Sequence, residues 1–331
     1  MEIFFYQKKI LFVAPKFFGY EHEIKIRLES LGATVDFYDD RPSNSAWSKF
    51  VIRVFPQVQK KKIKNYFSQL LTKYPDDYDF IFIIKMECMP SEILLQLKNR
   101  NKKAKLIYYS YDSIKNNHNF RQSIQIFDSA FTFDDDDAKA IEGIKLRPLF
   151  FLNEYRDLPK EDVQYDICFI GTAHSDRYLL LEKVKSRFTN KDFRGFFFLY
   201  VPSKFIFWVK KIFNPVFWGA KKSDFSFSPL TKNDVLRIIS RSTSILDFQH
   251  PRQTGLTMRT IEILGAKKKL VTTNENVKKY DFYRPENIAV IDRNNPVIAP
   301  GFFHSPYVNL PDELYEKYSI DGWLRDVFSI P

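Results

Sequence analysis

Short apolar runs that alternate with helical segments constrain this chain more than any other feature of its sequence. Ile10–Ala14 is a continuous apolar run typical of a buried strand, and Glu21–Leu31 follows it with apolar residues at helical spacing. Gly32 is suited to end that helix, because glycine adopts the left-handed backbone of a helix C-terminus without strain. Strands that alternate with helices predict a parallel sheet joined by crossover helices. The other elements expected in this first series are the strands Val35–Tyr38, Phe80–Ile84, Lys105–Ser110 and Ala130–Phe133 and the helices Phe50–Tyr74 and Ser91–Lys98.

The alternation starts again after Asn153–Gln164, a polar and irregular stretch that we interpret as a linker. A chain of 331 residues is long enough for two domains. We therefore predict two Rossmann-like α/β domains, residues 1–155 and residues 156–331, with a ligand-binding cleft between them. The terminal helical region Leu310–Phe328 is expected to pack back on the first domain. The elements expected in the second series are the strands Asp166–Ile170, Arg194–Val201, Ser244–Phe248, Leu270–Thr273 and Ile288–Ile291 and the helices Arg177–Arg187, Lys232–Arg241 and Leu256–Gly265.

Composition narrows the class of protein further. Apolar residues make up 44% and charged residues 27%, which is typical of a globular chain rather than a disordered one. Cys88 and Cys168 lie far apart inside apolar runs, so we expect two buried free thiols and a reducing compartment. The formal net charge of +11 suits phosphate-bearing partners, although a general abundance of lysine explains it equally well.

The location expected from the sequence is cytoplasmic. The N-terminal residues lack a signal peptide's order of basic start, apolar stretch and small-residue cleavage site. No apolar run reaches the length of about 18 residues that a membrane-spanning helix needs. A peripheral position on the inner face of a membrane stays open.

The segment from His250 to Glu262 contains the densest group of candidate binding residues. It follows a predicted strand and opens a predicted helix, whose free N–H groups and positive dipole end favour a bound phosphate. Arg259 can add a charged contact, and Glu262, one helical turn further on, can accept hydrogen bonds from both hydroxyls of a ribose. An ordinary capped helix with a surface Arg–Glu pair explains the same spacing. The candidate nucleotide-binding residues of this segment are His250, Gln253, Thr254, Gly255, Leu256, Thr257, Arg259 and Glu262.

Glu262 also begins the sequence EILGAKKKLV, in which a glutamate on a helix is followed by an apolar strand. This pattern resembles the nucleotide-sugar signature of the two-Rossmann (GT-B) glycosyltransferases, which reads E-A-x-A-x-G before an apolar strand. Lys267 stands where that family usually has a glycine. Arg259 and Glu262 resemble the R-x-x-E of CgeB-like transferases, and the chain is similar in length to capsular and lipopolysaccharide biosynthesis proteins. Further segments that carry the resemblance are Lys85–Glu87, Tyr111–Ser113, Phe131–Asp134 and Asp166–Thr172.

The resemblance implies a glycosyltransferase that moves a sugar from a nucleotide-sugar donor to a capsule or lipopolysaccharide acceptor, with no metal and no other cofactor. It implies that the second domain binds the donor, with Gly171, Thr172 and Arg177 against the diphosphate. A plain strand-to-helix turn would account for the same three residues. Two other functions stay open. A nucleotide-sugar epimerase on the same fold would act on the donor alone, and a non-catalytic sugar-binding subunit of a polysaccharide assembly machine would bind the donor without turnover.

Acidic residues that follow strands of the first domain are the candidate catalytic groups. An inverting transferase needs a carboxylate to deprotonate the acceptor hydroxyl, and Asp112 and Glu87 each follow a strand. We favour Asp112, because Lys85 is placed to hold Glu87 in an ion pair that would lower its basicity. The acidic run Asp134–Asp137 is expected to be a solvated turn and helix cap rather than a metal site.

An aromatic and basic stretch, Phe193–Lys222, has three interpretations. Aromatic side chains interleaved with lysines suit the interface of an anionic membrane, which would make such a membrane a partner. They are also the residue types that stack on single-stranded nucleic acid, although no nucleic-acid motif appears and we expect no nucleic-acid partner. A buried strand followed by a partly buried helix would need no partner at all.

Overall fold

The computed structural model describes residues 4–43, 56–74, 77–112, 118–188, 193–251, 254–299 and 301–330. The chain divides into two compact units. Unit 1 comprises Met1–Pro148 and Ile320–Pro331, and unit 2 comprises Leu149–Ser319. The division therefore falls before the polar stretch that the sequence suggested as a linker, and the last twelve residues of the chain (320 to 331) belong to unit 1.

Unit 1 contains a six-stranded parallel sheet in the order β2-β1-β3-β4-β5-β6. Its central strands are apolar along most of their length, as expected where helices cover both faces of a parallel sheet. The strands are β1 Lys9–Ala14, β2 Thr34–Asp39, β3 Phe80–Ile84, β4 Lys105–Ser110, β5 Ser129–Thr132 and β6 Ile144–Leu146. The helices between them are α1 Tyr20–Ser30, α2 Pro56–Lys73, α3 Ser91–Arg100, α4 His118–Ser123 and α5 Asp135–Ala140.

The C-terminal helix, Ile320–Phe328, completes the core of unit 1. Trp323 is fully buried, and its ring centroid lies 4.8 Å from that of Tyr109 and 5.9 Å from that of Phe82. Arg27 of α1 holds the same helix through two contacts with Asp321, of 2.5 and 2.6 Å. The sheet therefore depends on a helix that is far away in the sequence.

Unit 2 contains a five-stranded parallel sheet in the order β11-β10-β9-β7-β8. The strands are β7 Tyr165–Thr172, β8 Gly195–Tyr200, β9 Ser242–Asp247, β10 Lys269–Thr272 and β11 Ile288–Val290. The helices are α6 Asn153–Arg156, α7 Arg177–Lys185, α8 Lys204–Phe213, α9 Lys232–Ser240, α10 Met258–Gly265, α11 Gly301–His304 and α12 Asp312–Lys317. The prediction of two Rossmann-like α/β sheets and a C-terminal helix is confirmed. The cysteines are also as expected, since Cys88 and Cys168 are both buried and free.

Each sheet has one topological switch point, where the strand order reverses. In unit 1 the reversal lies between β1 and β3, and in unit 2 it lies between β7 and β9. At that point, the connections that follow two neighbouring parallel strands run in opposite directions along the sheet. The two loops after the carboxyl ends of these strands therefore separate, and the gap between them has room for a ligand. The loops after β1, β3, β7 and β9 are therefore where the topology places binding residues.

We expect Trp323→Ala to destabilise the protein by about 3–5 kcal/mol, the usual cost of removing a fully buried aromatic side chain. The matched control is Trp218→Ala, because Trp218 is 63% exposed and such surface changes usually stay within about 0.5 kcal/mol. Urea unfolding followed by circular dichroism measures both. Equal losses for the two variants would contradict the assignment of Trp323 to the core.

Candidate functional site

The N-terminus of α10 is fixed by a buried carboxylate that sequence reasoning missed. Asp247 ends β9 and accepts hydrogen bonds from the hydroxyls of Thr257 at 2.5 Å and Thr260 at 3.0 Å. Thr257 is also the N-cap, since its hydroxyl accepts from the backbone N–H of Thr260. Leu256 beside it is buried, whereas Gln253 lies outside the described residues. The helix end that was predicted to face a phosphate is thereby held in one position.

The predicted pair Arg259 and Glu262 exists as an ion pair of 2.9 Å. Glu262 is 5% exposed, and Tyr155 from α6 forms hydrogen bonds with both members of the pair. Burial, and then the negative charge of Glu262, raise the pKa of the Tyr155 hydroxyl. Tyr155 therefore stays protonated and donates to Glu262, which makes the three side chains one network on one side of α10.

The loop after β7 is held by Arg177, whose guanidinium points at backbone rather than at open solvent. Its Nε and Nη2 donate to the carbonyl of Phe248, at 3.1 and 2.8 Å. Burial lowers the pKa of Arg177, yet an arginine keeps its charge. Gly171 has a packing role, because a Cβ there would come within 2.8 Å of the Phe169 ring. Thr172 at the end of the strand is exposed.

Arg293 lies in the loop after β11 and joins that loop to the loops after three other strands of unit 2. Its Nε and Nη2 contact the carboxylate of Asp176, after β7, at 2.7 and 2.8 Å. Nη2 also donates to the carbonyl of Gln249, after β9, and Nη1 donates to the hydroxyl of Thr273, after β10. Hydrogen bonds from Arg293 lower the pKa of Asp176, so this carboxyl is ionised at neutral pH. The sequence held no local signal for this residue, since its partners are distant in the chain.

The same edge of the sheet carries two histidines and a buried lysine contact. The ring centroids of His174 and His250 lie 6.4 Å apart. Burial, and then the positive charges of Arg177 and His250, lower the pKa of His174 to about 4, so His174 is neutral at physiological pH. The amine of Lys210 donates to the carbonyl of Ala173 at 2.5 Å. Cations thus gather around the β7 loop, an arrangement that favours an anionic ligand.

The turn between β9 and α10 is held by asparagines that follow β10. The side-chain amide of Asn274 donates to the carbonyl of Gly255 at 3.2 Å, and that of Asn276 donates to the carbonyl of Thr254 at 3.1 Å. Gly255 is buried, and Thr254 is exposed. The predicted donor-binding residues of this turn therefore lie on a backbone that is fixed from the neighbouring strand.

In unit 1, the loop after β3 has an unusual backbone. Lys85 and Met86 both adopt left-handed conformations, with φ of 71° and 50°, which cost an ordinary residue about 1–3 kcal/mol. Asp40 offsets that cost, because its buried carboxylate accepts from three successive backbone N–H groups. Burial raises the pKa of Asp40 to about 7, against the opposite effect of those hydrogen bonds. The three donors are Glu87 at 2.6 Å, Cys88 at 3.0 Å and Met89 at 3.1 Å.

This turn brings the two candidate catalytic carboxylates to one lysine. The expected ion pair of Lys85 with Glu87 is present at 3.6 Å, but Lys85 Nζ lies closer to Asp112, at 2.9 Å. The expectation that Lys85 distinguishes the two acids in favour of Asp112 was therefore wrong. Arg41 is the nearer partner of Glu87, with its Nε at 3.0 Å from the carboxylate. The Glu87 side chain is 21% exposed, whereas that of Asp112 is 57% exposed. Asp112 is consequently the more accessible of the two acids.

Aromatic side chains flank the carboxylates on the loop after β1. Phe17 stacks on Tyr111 with ring centroids 5.0 Å apart, and it contacts Phe18 edge to face at 4.7 Å. Phe18 is 88% exposed and has a left-handed φ of 52°. The hydroxyl of Tyr111 is buried and forms no hydrogen bond with any of the described residues. These rings form an open apolar shelf at the β1–β3 switch point, the kind of surface on which a sugar ring packs.

Comparison with known proteins assigns the fold. No protein-family model matches the chain, and no curated protein matches it. Solved structures do match over nearly the whole length. Anabaena HepE in complex with UDP-glucose has 10% identity and a TM-score of 0.61, over 97% of this chain and 98% of that one. A glycosyltransferase from Rickettsia africae has 13% identity and a TM-score of 0.59, over 98% and 97%.

The lipopolysaccharide outer core galactosyltransferase WaaB is also similar, with 12% identity and a TM-score of 0.52 over 97% of this chain and 99% of that one. Likeness at such identities defines the fold, and the chain therefore has the fold of the GT-B glycosyltransferases. The resemblance to that class is confirmed at this level. The finer resemblance to CgeB-like transferases stays a prediction.

Within the described ranges, no three His, Cys, Asp or Glu side chains lie close enough together to hold a metal ion. No helix in the described part of the chain combines the length and the apolar character needed to cross a membrane.

We expect the Asp176–Arg293 pair to show a coupling energy of about 1–3 kcal/mol, because its hydrogen bonds join charged and largely buried groups. A double-mutant cycle with Asp176→Ala and Arg293→Ala, followed by urea unfolding at pH 7, measures it. Since Arg293 lowers the pKa of Asp176, this stabilisation is present at neutral pH and declines as the pH falls below about 4.

The control cycle uses Glu182 and Lys185, a more exposed pair on α7 of the same unit. Its coupling should not exceed about 0.5 kcal/mol. A coupling for Asp176 and Arg293 as small as that of the control would show that Arg293 does not hold the loops together.

Proposed function

We propose that this protein is a glycosyltransferase that binds a nucleotide-sugar donor on unit 2 and transfers the sugar to a hydroxyl of a surface polysaccharide, either capsule or lipopolysaccharide. The observation that carries the proposal is the coincidence of three features at one switch point. One edge of the GT-B sheet carries the β7–β9 switch point, the capped N-terminus of α10 and a group of cationic side chains. The similarity to HepE, which was solved with UDP-glucose, supports a nucleotide-sugar as the ligand.

On the donor side, the diphosphate faces the free N–H groups of α10 and the positive field of Arg177, Arg259 and Arg293. The ribose meets Glu262. A carboxylate has about four acceptor positions, so Glu262 retains capacity for ribose hydroxyls after it accepts from Arg259 and Tyr155. The two partners fix the direction of its oxygens in advance, which reduces the entropy lost on binding.

On the acceptor side, unit 1 presents the hydroxyl group to Asp112. In an inverting transfer, the acceptor oxygen gives its proton to Asp112 and forms a bond to the anomeric carbon, while the nucleoside diphosphate leaves with the electrons of the broken C–O bond. The shelf of Phe17, Phe18 and Tyr111 supports the acceptor sugar. Lys85 orients Asp112 by the contact of 2.9 Å.

The proposal includes a metal-independent reaction in the cytoplasm, at the inner face of a membrane where glycolipid acceptors lie. In it, the charge that develops on the leaving diphosphate is stabilised by arginine and backbone N–H groups. Assays with and without EDTA test this point. Transfer of radiolabelled sugar from a panel of UDP-, GDP- and ADP-sugars to membrane glycolipid tests the reaction itself. An isomerised nucleotide-sugar formed without acceptor would favour an epimerase, and tight binding without turnover would favour a binding subunit.

Glu262→Gln should weaken nucleotide binding by about 1.5–3 kcal/mol, because hydrogen bonds to a charged acceptor are replaced by weaker ones. Glutamine keeps the size of the side chain, which limits the disturbance of Arg259 and Tyr155. Isothermal titration calorimetry with the preferred nucleotide measures the change. Glu182→Gln, at an exposed position of α7, is the control and should bind as the wild type does. If a folded Glu262→Gln protein keeps wild-type affinity, Glu262 does not contact the nucleotide.

Asp112→Asn should lower kcat by at least about 100-fold and leave donor affinity unchanged, since general-base catalysis contributes about 10²–10⁴-fold. Glu87→Gln is the matched comparison, because Glu87 contacts the same lysine but is held by Arg41. It should mainly raise KM for the acceptor. Near-normal turnover of both single variants on the true acceptor would exclude both residues as the base.

A further inference from the structure

Helix α8, Lys204–Phe213, carries large apolar residues on its exposed side as well as on its buried side. Phe205, Trp208 and Ile212 lie at i, i+3 and i+7, so they share one side of the helix. Phe213 extends this side, and Trp218 follows in the next turn of the chain. We call these five residues the aromatic face. Each is between 51% and 78% exposed, an unusual state for side chains of this size.

The opposite side of α8 explains why the helix is nevertheless firmly held. Phe207 and Phe217 are buried in the core of unit 2. Lys210 donates to the carbonyl of Ala173, and Lys211 donates to the carbonyl of Ala220. The inner side of α8 therefore makes both hydrogen bonds and apolar contacts with the rest of unit 2. Because this side already supplies the core contacts of the helix, the aromatic face is an exposed surface in addition to the core. The stretch Phe193–Lys222 is thus core in part and exposed in part.

The charged residues next to the aromatic face in the sequence are all basic. Between Asp192 and Asp224 the sequence contains no acidic residue, whereas it contains six basic ones. Two of these, Lys210 and Lys211, are engaged by backbone carbonyls. Lys204 and Lys222 are exposed on either side of the face in the sequence. Bulky apolar residues bordered by exposed lysines match both the acyl boundary and the anionic headgroups of a bilayer.

We propose that the aromatic face binds the surface of an anionic lipid bilayer. Phe205, Trp208 and Phe213 enter the boundary between headgroups and acyl chains, and the exposed lysines contact the anionic headgroups. Because Lys210 of the same helix holds the carbonyl of Ala173, binding would keep the loop after β7 close to the lipid. This inference does not depend on the glycosyl-transfer reaction, and its test uses no sugar donor.

Two other partners fit less well. A second copy of the chain that paired this face with itself would bring like-charged lysines together, since a two-fold contact uses the same patch on both copies. Single-stranded nucleic acid would use the aromatic rings and the lysines. It would leave the exposed aliphatic side chains of Val209 and Ile212 without a stacking role. A bilayer can contact all the exposed residue types at this face, because its acyl boundary accepts aromatic and aliphatic side chains and its anionic headgroups accept lysines.

The test is co-sedimentation of the full chain with vesicles of phosphatidylcholine containing 30% phosphatidylglycerol, and with pure phosphatidylcholine vesicles, at low and at high salt. The wild type should sediment with the anionic vesicles and should bind less at high salt. Trp208→Ser/Phe213→Ser should lower the partition coefficient by at least about tenfold for each side chain removed. Lys204→Gln/Lys222→Gln should lower it by about fivefold for each lysine at low salt.

The control variant is Leu179→Ser/Val297→Ser, which removes two exposed apolar side chains from elsewhere in unit 2 and should bind as the wild type does. Circular dichroism and thermal melting confirm that each variant is folded. The proposal is overturned if the wild type stays in the supernatant at low salt, or if the Trp208/Phe213 variant binds as well as the wild type. It is equally overturned if that variant loses self-association or oligo(dT) binding while vesicle binding is unchanged.

Discussion

The candidate donor site depends on the hydrogen bonds that the guanidinium of Arg293 donates. Each of the loops it joins follows a different strand of the sheet. A planar group with five donors can satisfy a carboxylate, a carbonyl and a hydroxyl at the same time, whereas lysine could not do so with the same geometry. Its partner Asp176 precedes α7 directly, so the position of that helix is coupled to the loops after β9 and β10.

In unit 1, a buried carboxylate rather than an arginine holds the loop that carries the candidate catalytic residues. Asp40 accepts from three consecutive N–H groups and so stabilises a turn that begins with two left-handed residues. Without these acceptors, the N–H groups would be buried and unpaired, and the turn would relax toward ordinary backbone angles. Glu87 lies on that turn, and Lys85 reaches from it toward Asp112. The arrangement of the candidate catalytic acids therefore follows from a residue that touches neither reactant.

Much of the fold could be predicted because buried parallel strands are continuous apolar runs. β3 and β4 begin and end where the sequence placed them, at Phe80–Ile84 and Lys105–Ser110. Asp134 is a helix cap as expected, since its carboxylate accepts from two N–H groups of α5. The expectation that the run is solvated was wrong for two of its members. Asp134 and Asp137 are buried, because the first turn of α5 packs on the sheet.

The residues that fix the site could not be predicted in the same way. Arg293 and Asp176 are 117 positions apart, and nothing in either local sequence shows that they meet. Periodicity placed Phe205 and Phe207 in one aromatic stretch. It could not show that Phe207 is buried while Phe205 is exposed, because both sides of α8 are apolar. Local composition also misjudged part of the predicted linker. Asn153–Gln164 is polar and irregular, but its Tyr155 belongs to the network around Glu262.

Topology and electrostatics together explain how a GT-B fold persists at sequence identities of 10–13%. The order of strands alone decides which loops meet at the switch point, so the location of the ligand edge does not depend on particular residues. What the edge needs is positive charge, and that charge need not touch the ligand. Arg177 and Lys210 donate their hydrogen bonds to backbone carbonyls, and both cationic groups lie close to the loop after β7. In the proposed site, their field lowers the energy of a bound anion, and backbone N–H groups supply the direct contacts. Cations placed by different residues in different chains can supply the same field, so such substitutions lower the sequence identity while the location of the site is kept.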